Sequence, residues 1–390
     1  MSTNMHARPR QHAIKVQAAA QTAESLAAGD VVSRVVEMDT NFDLQFADFD
    51  PVMEFHGNVE RIPGKTPGTL RTKKALVGGG AAATPPNADL YLKSAGHARF
   101  VVNSINLTGA PTGTFSPGER ITDGGTKVGY YLRMLDSDTM LYMVYSGAAF
   151  AAADTLTGTL SGATGTVHGT PAITAMGFGY MPKTYGNSIF TTQGMRARNV
   201  SNGKSVNVKL RDAVSDGSIM IDGAGQVCFL ENNFSGVADT PDNPDYLAAT
   251  YTDPTPETWK GNATVINDDL VCVSKLRLNF GCEVSENDCS GAAGGIDGYG
   301  ITDRNPEIQL DPLMAIESEI PFFGNLAAGT TFPFSTVVGT TATKRIGIVA
   351  GKCQYGKPHG FGERNGTATL DVALEPLIQF GDDEYIIYSY

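Results

Sequence analysis

Three carboxylate groups are the residues of this sequence best suited to chemistry: Asp268-Asp269, Glu283 with Glu286 and Asp288, and Asp382-Asp383-Glu384. Glycoside hydrolysis needs only two acids held about 5 to 9 Å apart, one to protonate the leaving oxygen and one to attack or activate water. On that reading Asp382→Asn or Glu283→Gln removes activity and leaves the fold alone. Solvated turns on an acidic protein use the same residues, and no pair stands out by spacing, so no catalytic residue is assigned. The cysteines, Cys228, Cys272, Cys282, Cys289 and Cys353, are odd in number and contain no C-x-x-C pair. They fit neither a zinc knuckle nor a disulfide framework and are expected to be reduced and mostly buried. Cys282 and Cys289 could bridge or hold a metal, but Cys282 occupies an inward position of an alternating run and belongs in a core. The histidines, His6, His12, His56, His97, His168 and His359, are scattered singly, so no metal site is expected. Gly177-Phe178-Gly179 and Gly223-Ala224-Gly225 lack the third glycine and the helix of a dinucleotide site, and no cofactor is implied. Trp259, the only tryptophan, pins a proline-rich linker or anchors a partner. Tyr130, Tyr131, Tyr142 and Tyr145 either pack a small sandwich, the favoured reading, or bind glycan.

The elements that position these residues are short strands. The chain has 390 residues, a net charge of -12 and 45 glycines, which describes a turn-rich folded protein of two or three domains. Such a charge disfavours a protein that grips nucleic acid over its whole surface. The N-terminus carries Arg8, Arg10 and Lys15, no acid before Glu24 and no continuous apolar run, so residues 1–29 are expected to be a basic arm rather than a signal peptide or membrane anchor. Ala13 to Leu26 shows no clean helical stripe and is taken as extended or weakly helical. Val31 to Val36, the alternation Phe42, Leu44, Phe46, and Thr69 to Val77 predict strands. Gly78-Gly79-Gly80 and Pro85-Pro86 then break the chain before a short helix at Asp89 to Gly96. Ala368 to Glu375 alternates well, and Tyr385 to Tyr388 is expected to close a sheet edge.

Two internal echoes organise the chain. In the Gly-, Thr- and Ser-rich stretch 108–171, Phe115-x-x-x-Glu119-x-Ile121-Thr122 reappears as Phe150-x-x-x-Asp154-x-Leu156-Thr157. That stretch is predicted to be an inserted all-β domain on the outer surface, with strands near Tyr130 to Met134 and Met140 to Tyr145. On a larger scale, Asn41-Phe42-x-Leu44-x-Phe46 matches Asn279-Phe280-x-Cys282-x-Val284, each followed by an Arg-led segment, Arg71 to Leu76 and Arg304 to Leu310. The halves therefore read as diverged copies: a first module over 30–107 and 172–240, a linker over 241–264 within the strandless tract Asn232 to Thr264, and a second module over 265–390.

Several ordered stretches resemble the major tail tube protein of long-tailed, non-contractile bacteriophages. They are Val31 to Glu37, Gly64 to Leu76, the Gly78 to Pro86 tract, and Leu90 to Gly96; then Gly177-Phe178-Gly179-Tyr180-x-Pro182 through Met195 to Arg198 and Gly225 to Gly236; and finally Val273 onward through Asp303-Arg304 to Ala368–Glu375 and Asp382-Asp383-Glu384. The chain departs from the family pattern at Asn199 to Val214, where a usual turn is replaced by a longer stretch with Lys204, Lys209 and Arg211 following Arg198. The resemblance implies a mainly β fold: two tandem tail-tube β-sandwich or barrel-forming modules with a short helix, plus the small insertion. It implies a non-enzymatic structural subunit, made in the host cytoplasm and located in the virion tail, that stacks in rings around a lumen. A duplicated chain favours three copies per ring, with six possible. The implied partners are further copies of itself, a tape-measure protein, a tail terminator and a distal tail protein, with duplex DNA as transient cargo and no membrane. The alternatives are another tail ring protein, terminator or distal tail, which caps a tube without polymerising, or a β-rich glycan-binding or glycan-hydrolysing protein.

Overall fold

In the computed structural model, which describes residues 10–42, 45–47, 62–184, 189–198, 203–251, 253–292, 294–357 and 360–390, the segment read as an arm contains a strand. β1 (Arg10–Val16) lies antiparallel to a later strand, Ala13 opposite Gly194, and Ala13 and Ile14 are buried. Its apolar residues are small and few, so the sequence has no period to show, and a partner 180 residues away makes it a strand. Residues 1–9, the start of the expected arm, lie outside the described residues, as do Leu44, His6, His56 and His359.

The first module continues with β2 (Val35–Phe42), the short pair β3 (Phe46–Ala47) and β4 (Ile62–Pro63), and β5 (Pro67–Ala75). β5 alternates as expected, Leu70, Thr72 and Lys74 inward and Thr69 and Arg71 outward. α1 (Asp89–Ser94) is followed by Gly96, whose φ of +76° suits a residue without a Cβ. Next come β6 (His97–Asn106), β7 (Arg120–Thr122), β8 (Val128–Met134), β9 (Thr139–Ser146), β10 (Thr155–Gly158), β11 (Thr164–Thr166) and β12 (Thr174–Pro182). The module closes with β13 (Thr191–Arg198), β14 (Ser205–Ile221) and β15 (Phe229–Ala238). Arg198, Lys209 and Arg211, which mark the stretch that departs from the family's usual turn, belong to strands. β15 also takes Asn232 to Ala238 from the tract expected to lack strands, and the crossing segment that remains is 239–263, where Trp259 is buried.

The second module runs through β16 (Thr264–Ile266), β17 (Asp269–Val271), β18 (Leu276–Asn279), the hairpin β19 (Cys282–Asp288) and β20 (Ile296–Arg304), and β21 (Glu307–Leu310). It continues with α2 (Phe322–Ala328), β22 (Phe332–Val338), β23 (Ile346–Tyr355), β24 (Gly360–Arg364), β25 (Thr367–Pro376) and β26 (Ile386–Ser389). The order of pairing repeats that of the first module. In one half β1 pairs β13, β13 pairs β14, β14 pairs β15, β15 pairs β5 and β5 pairs β2. In the other, β16 pairs β22, β22 pairs β23, β23 and β24 pair β25, β25 pairs β21 and β21 pairs β18. The registers agree too: Asn41 faces Thr69 and Asn279 faces Glu307, Leu70 faces Phe234 and Ile308 faces Leu374, Ile219 faces Leu230 and Phe361 faces Leu370. Arg71 consequently corresponds to Gln309 and not to Arg304, which corrects the alignment of the Arg-led segments.

Each module is a sandwich, and in the first one strand serves both sheets. β14 passes between them at a bulge where Asp212 has φ +51°, its carboxylate held by the Gln21 amide at 2.9 Å and the Gln17 side chain at 3.1 Å. In the second module β23 and β24 divide that task. The insertion is larger than 108–171, because β6 and β12 pair with each other and have no counterpart between α2 and β22. It is also more than a surface attachment. β26, expected at a sheet edge, lies between β12 and β23 and so ties the insertion of the first module to the second. The short apolar run Tyr385 to Tyr388 points to a strand, found at Ile386–Ser389, but not to how many neighbours it has.

Within the insertion the short echo is structural. β7 and β10 lie side by side, Thr122 opposite Thr157, and Phe115, Ile121, Phe150 and Leu156 share one core with Tyr131 and Tyr142. Glu119 accepts from the Ser116 amide at 2.7 Å and Asp154 from the Ala151 amide at 2.7 Å, the same turn used twice. The glycines are reciprocal as well. Gly129 faces Ile121 under the Phe150 ring, and Gly165 faces Leu156 beside the Phe115 ring. A Cβ at Gly129 would lie 2.8 Å from the Met143 carbonyl and 3.2 Å from Phe150. Gly129→Val should therefore cost about 1–3 kcal/mol by overpacking. Hydrogen exchange checks this: amides of β7–β11 should exchange faster in the variant while those of β5 and β15 keep their protection.

Candidate functional site

The seam between the modules is a backbone ladder. β14 pairs β18 with Ile219 opposite Leu278 and Ile221 opposite Leu276, all four buried. This fuses the two four-stranded sheets into one antiparallel sheet in the order β2-β5-β15-β14-β18-β21-β25-β24. Past the seam, Phe280 packs among Gly217, His97 and Tyr385, with ring centroids 4.8 and 6.1 Å from the latter two. The β19–β20 hairpin lays Ile296 and Tyr299 against Val214 and Val237 of the first module. Burying large apolar side chains at roughly 1.5–3 kcal/mol each makes this junction rigid.

One face of the fused sheet packs on the core and the other is polar. Cross-strand rows run over it: Asp39, Arg71, Asn233 and Asp216 in one, Glu37, Lys73, Glu231, Ser218, Asn279 and Glu307 in the next. Asp371 and Glu375 of β25 and Arg364 of β24 share this face. Acids outnumber bases on it, and the bases are engaged. Arg71 pairs with Glu231, Lys73 lies 3.8 Å from Asp222, Arg277 Nε donates to Asn279 at 2.8 Å, and Arg364 lies 3.4 Å from Asp311. The Asp216 carboxyl is pushed above its usual range by burial, which outweighs its hydrogen bonds from the Cys282 and Gly217 amides.

The two outer edges of this sheet are open: among the described residues, no strand pairs with the outer side of β2 or of β24. A groove of about 790 Å³ runs along β2, lined by Val35 to Asp39, Arg10, Arg71 and Lys73. On β24, Phe361 is 72% exposed, its ring stacked at 6.0 Å on Phe323 of α2, whereas its counterpart Ile219 is wholly buried. An unpaired edge of this kind presents free backbone groups that can template another strand.

Five of the carboxylates weighed for hydrolysis, Glu286, Asp288, Asp382, Asp383 and Glu384, are held by other side chains or by backbone amides. Glu286 and Asp288 bind Lys65 at 3.0 and 2.5 Å. Glu384 accepts from Arg304 at 2.9 Å, and Asp382, also bonded to Thr184 and Arg304, is held below the usual carboxylate range. Asp383 accepts the Gln379 amide at 2.8 Å and the Tyr130 hydroxyl at 3.1 Å. The structure brings none of these groups into a cleft with a second, raised acid. Cys228, Cys282 and Cys353 are buried free thiols, each raised by burial, and Cys272 and Cys289 are also unpaired. Tyr130, Tyr131 and Tyr142 pack the insertion core, and His12 and His97 are buried and hydrogen-bonded. Among the described residues no group of three metal-ligating side chains occurs, and no helix is long and apolar enough to cross a membrane. The sequence pointed to strands at Val31 to Val36, which runs into β2, and at Ala368 to Glu375, which is β25, but it did not mark β24 and could not show which edges are open, because edge status depends on partners. Neither a family model nor a curated protein matches this sequence.

Proposed function

We propose that the protein is the structural subunit of a phage tail tube, a non-enzymatic chain that closes into rings through its sheet edges and stacks them around a lumen for DNA. The observation that carries this reading is the fused eight-stranded sheet, built twice over in one strand order and open at both ends. A ring satisfies both edges at once, removing an aggregation hazard. General barrel geometry supports three copies per ring. Strands about 4.8 Å apart and tilted about 40° close 24 strands at a diameter of roughly 48 Å, against roughly 32 Å for 16 strands. After side chains are allowed for, two copies leave little more than the ~20 Å width of duplex DNA, and three leave clearance. The polar face supports the same reading, since paired bases among excess acids let a polyanion pass without gripping it. Tape-measure, terminator and distal tail proteins are the further partners of this proposal, and the virion tail its location.

Electron microscopy of the purified protein at rising concentration tests it. End-on particles should show threefold rings with six lobes, and side views stacked tubes. A species that stays monomeric at every concentration, or that stops at a single ring, counts against a tube subunit; the second result favours a terminator or distal tail protein.

A further inference from the structure

The seam inside the chain is a template for the joint between chains. We infer that β24 of one copy pairs antiparallel with β2 of the next in the register that β14 and β18 use internally, Gly362 opposite Asp39. The equivalence is fixed by the ladders. Leu230 and Leu370 face Ile219 and Phe361, and Thr69 and Glu307 face Asn41 and Asn279, so Phe361 stands for Ile219 and Thr40 for Leu278. The internal pair Met220–Arg277 becomes Gly362–Asp39, and Ile221–Leu276 becomes Glu363–Met38.

Three observations on the two edges agree with this docking. The groove beside β2 is lined along Val35 to Asp39, and so overlaps at Glu37 to Asp39 the stretch Glu37 to Asn41 that β24 would occupy. Phe361 is the one large apolar residue of β24, and the joint would cover it as the seam covers Ile219. One step further along the same register, Arg364 falls opposite Glu37, a complementary pair across the junction. The partner is therefore a second copy of this chain, head to tail, and three such steps return to the first.

The inference rests on the ring reading above, and the test separates the two. In a Cys272→Ser, Cys289→Ser background, chains carrying Met38→Cys are mixed with chains carrying Glu363→Cys, assembled, imaged and oxidised. Directly opposed positions bring Cα atoms to about 4.5–5.5 Å, within disulfide reach, whereas a two-residue shift does not. Disulfide-linked dimers should form with Met38→Cys and stay absent with Val36→Cys, and one chain bearing both Met38→Cys and Glu363→Cys should give a covalent trimer. Rings without the 38–363 bond, or with 36–363 preferred, overturn the register while leaving the tube reading intact. Failure of the parent background to form rings at any concentration overturns both.

Discussion

Ile219→Asp should unfold the protein, and Phe361→Asp, the same change at the equivalent position of the other module, should leave a folded monomer that no longer assembles. Ile219 is wholly buried between Leu230 and Leu278. A carboxylate there loses its hydration and finds no partner, and with the lost packing the cost should exceed about 4 kcal/mol, a large part of a typical domain's stability. Phe361 is 72% exposed and its outer side faces solvent, so monomer stability should change by no more than about 0.5 kcal/mol. Urea unfolding monitored by circular dichroism reads the first effect, and sedimentation velocity with electron microscopy reads the second. Normal tubes from Phe361→Asp would refute a role for the β24 edge in assembly.

Stability should fall steeply between about pH 6.5 and pH 4, because the first module and its insertion bury two neutral imidazoles. His97 bonds the Leu92 carbonyl and the Tyr385 hydroxyl, both at 2.9 Å, beside Phe280. Burial lowers it to about 3, with Arg304 adding to the effect. His12, between Tyr91 at 2.5 Å and Gln193 at 2.7 Å, is lowered by burial to about 4. In the unfolded chain both take up a proton near pH 6.5, so below that value the unfolded state binds more protons and gains. The contribution of the neutral rings is fully present above pH 6.5 and is lost as the pH falls toward the folded values. At pH 4 this amounts to roughly 3 kcal/mol for each residue. Lys74 acts at the other end of the scale: wholly buried, with its ammonium 4.7 Å from the Tyr91 ring centroid, it is lowered by burial to about 7. Its cost is present in full and constant below pH 7 and is relieved as the pH rises toward the unfolded lysine value, so it adds a slope above pH 7 and none between pH 6.5 and pH 4. Chemical-denaturation midpoints from pH 4 to pH 8 check the slope, and His97→Gln should flatten it; an unchanged slope would mean that other groups set the acid limit.

Mainly β structure, the short helix at Asp89, the alternation of Thr69 to Val77 and of Ala368 to Glu375, and the echo between Asn41-Phe42 and Asn279-Phe280 were all legible in the amino-acid order. Each depends on side-chain period or on local turn chemistry, which a few consecutive residues carry. What remained hidden depends on partners distant in the chain. β1 is a strand because β13 accepts it, although Ala13 to Leu26 reads as an arm. β6 and β12 belong to the insertion because they pair with each other. Tyr385 to Tyr388 sits inside a sheet because β12 and β23 arrive on either side of it. The surface proposed to assemble shows the division most directly. Ile219 and Phe361 are both apolar residues in alternating strands, and nothing local tells them apart. Only the tertiary structure brings β18 against the first and leaves the second at an open edge, since the free energy of burial is set by what covers a side chain and not by its neighbours in sequence.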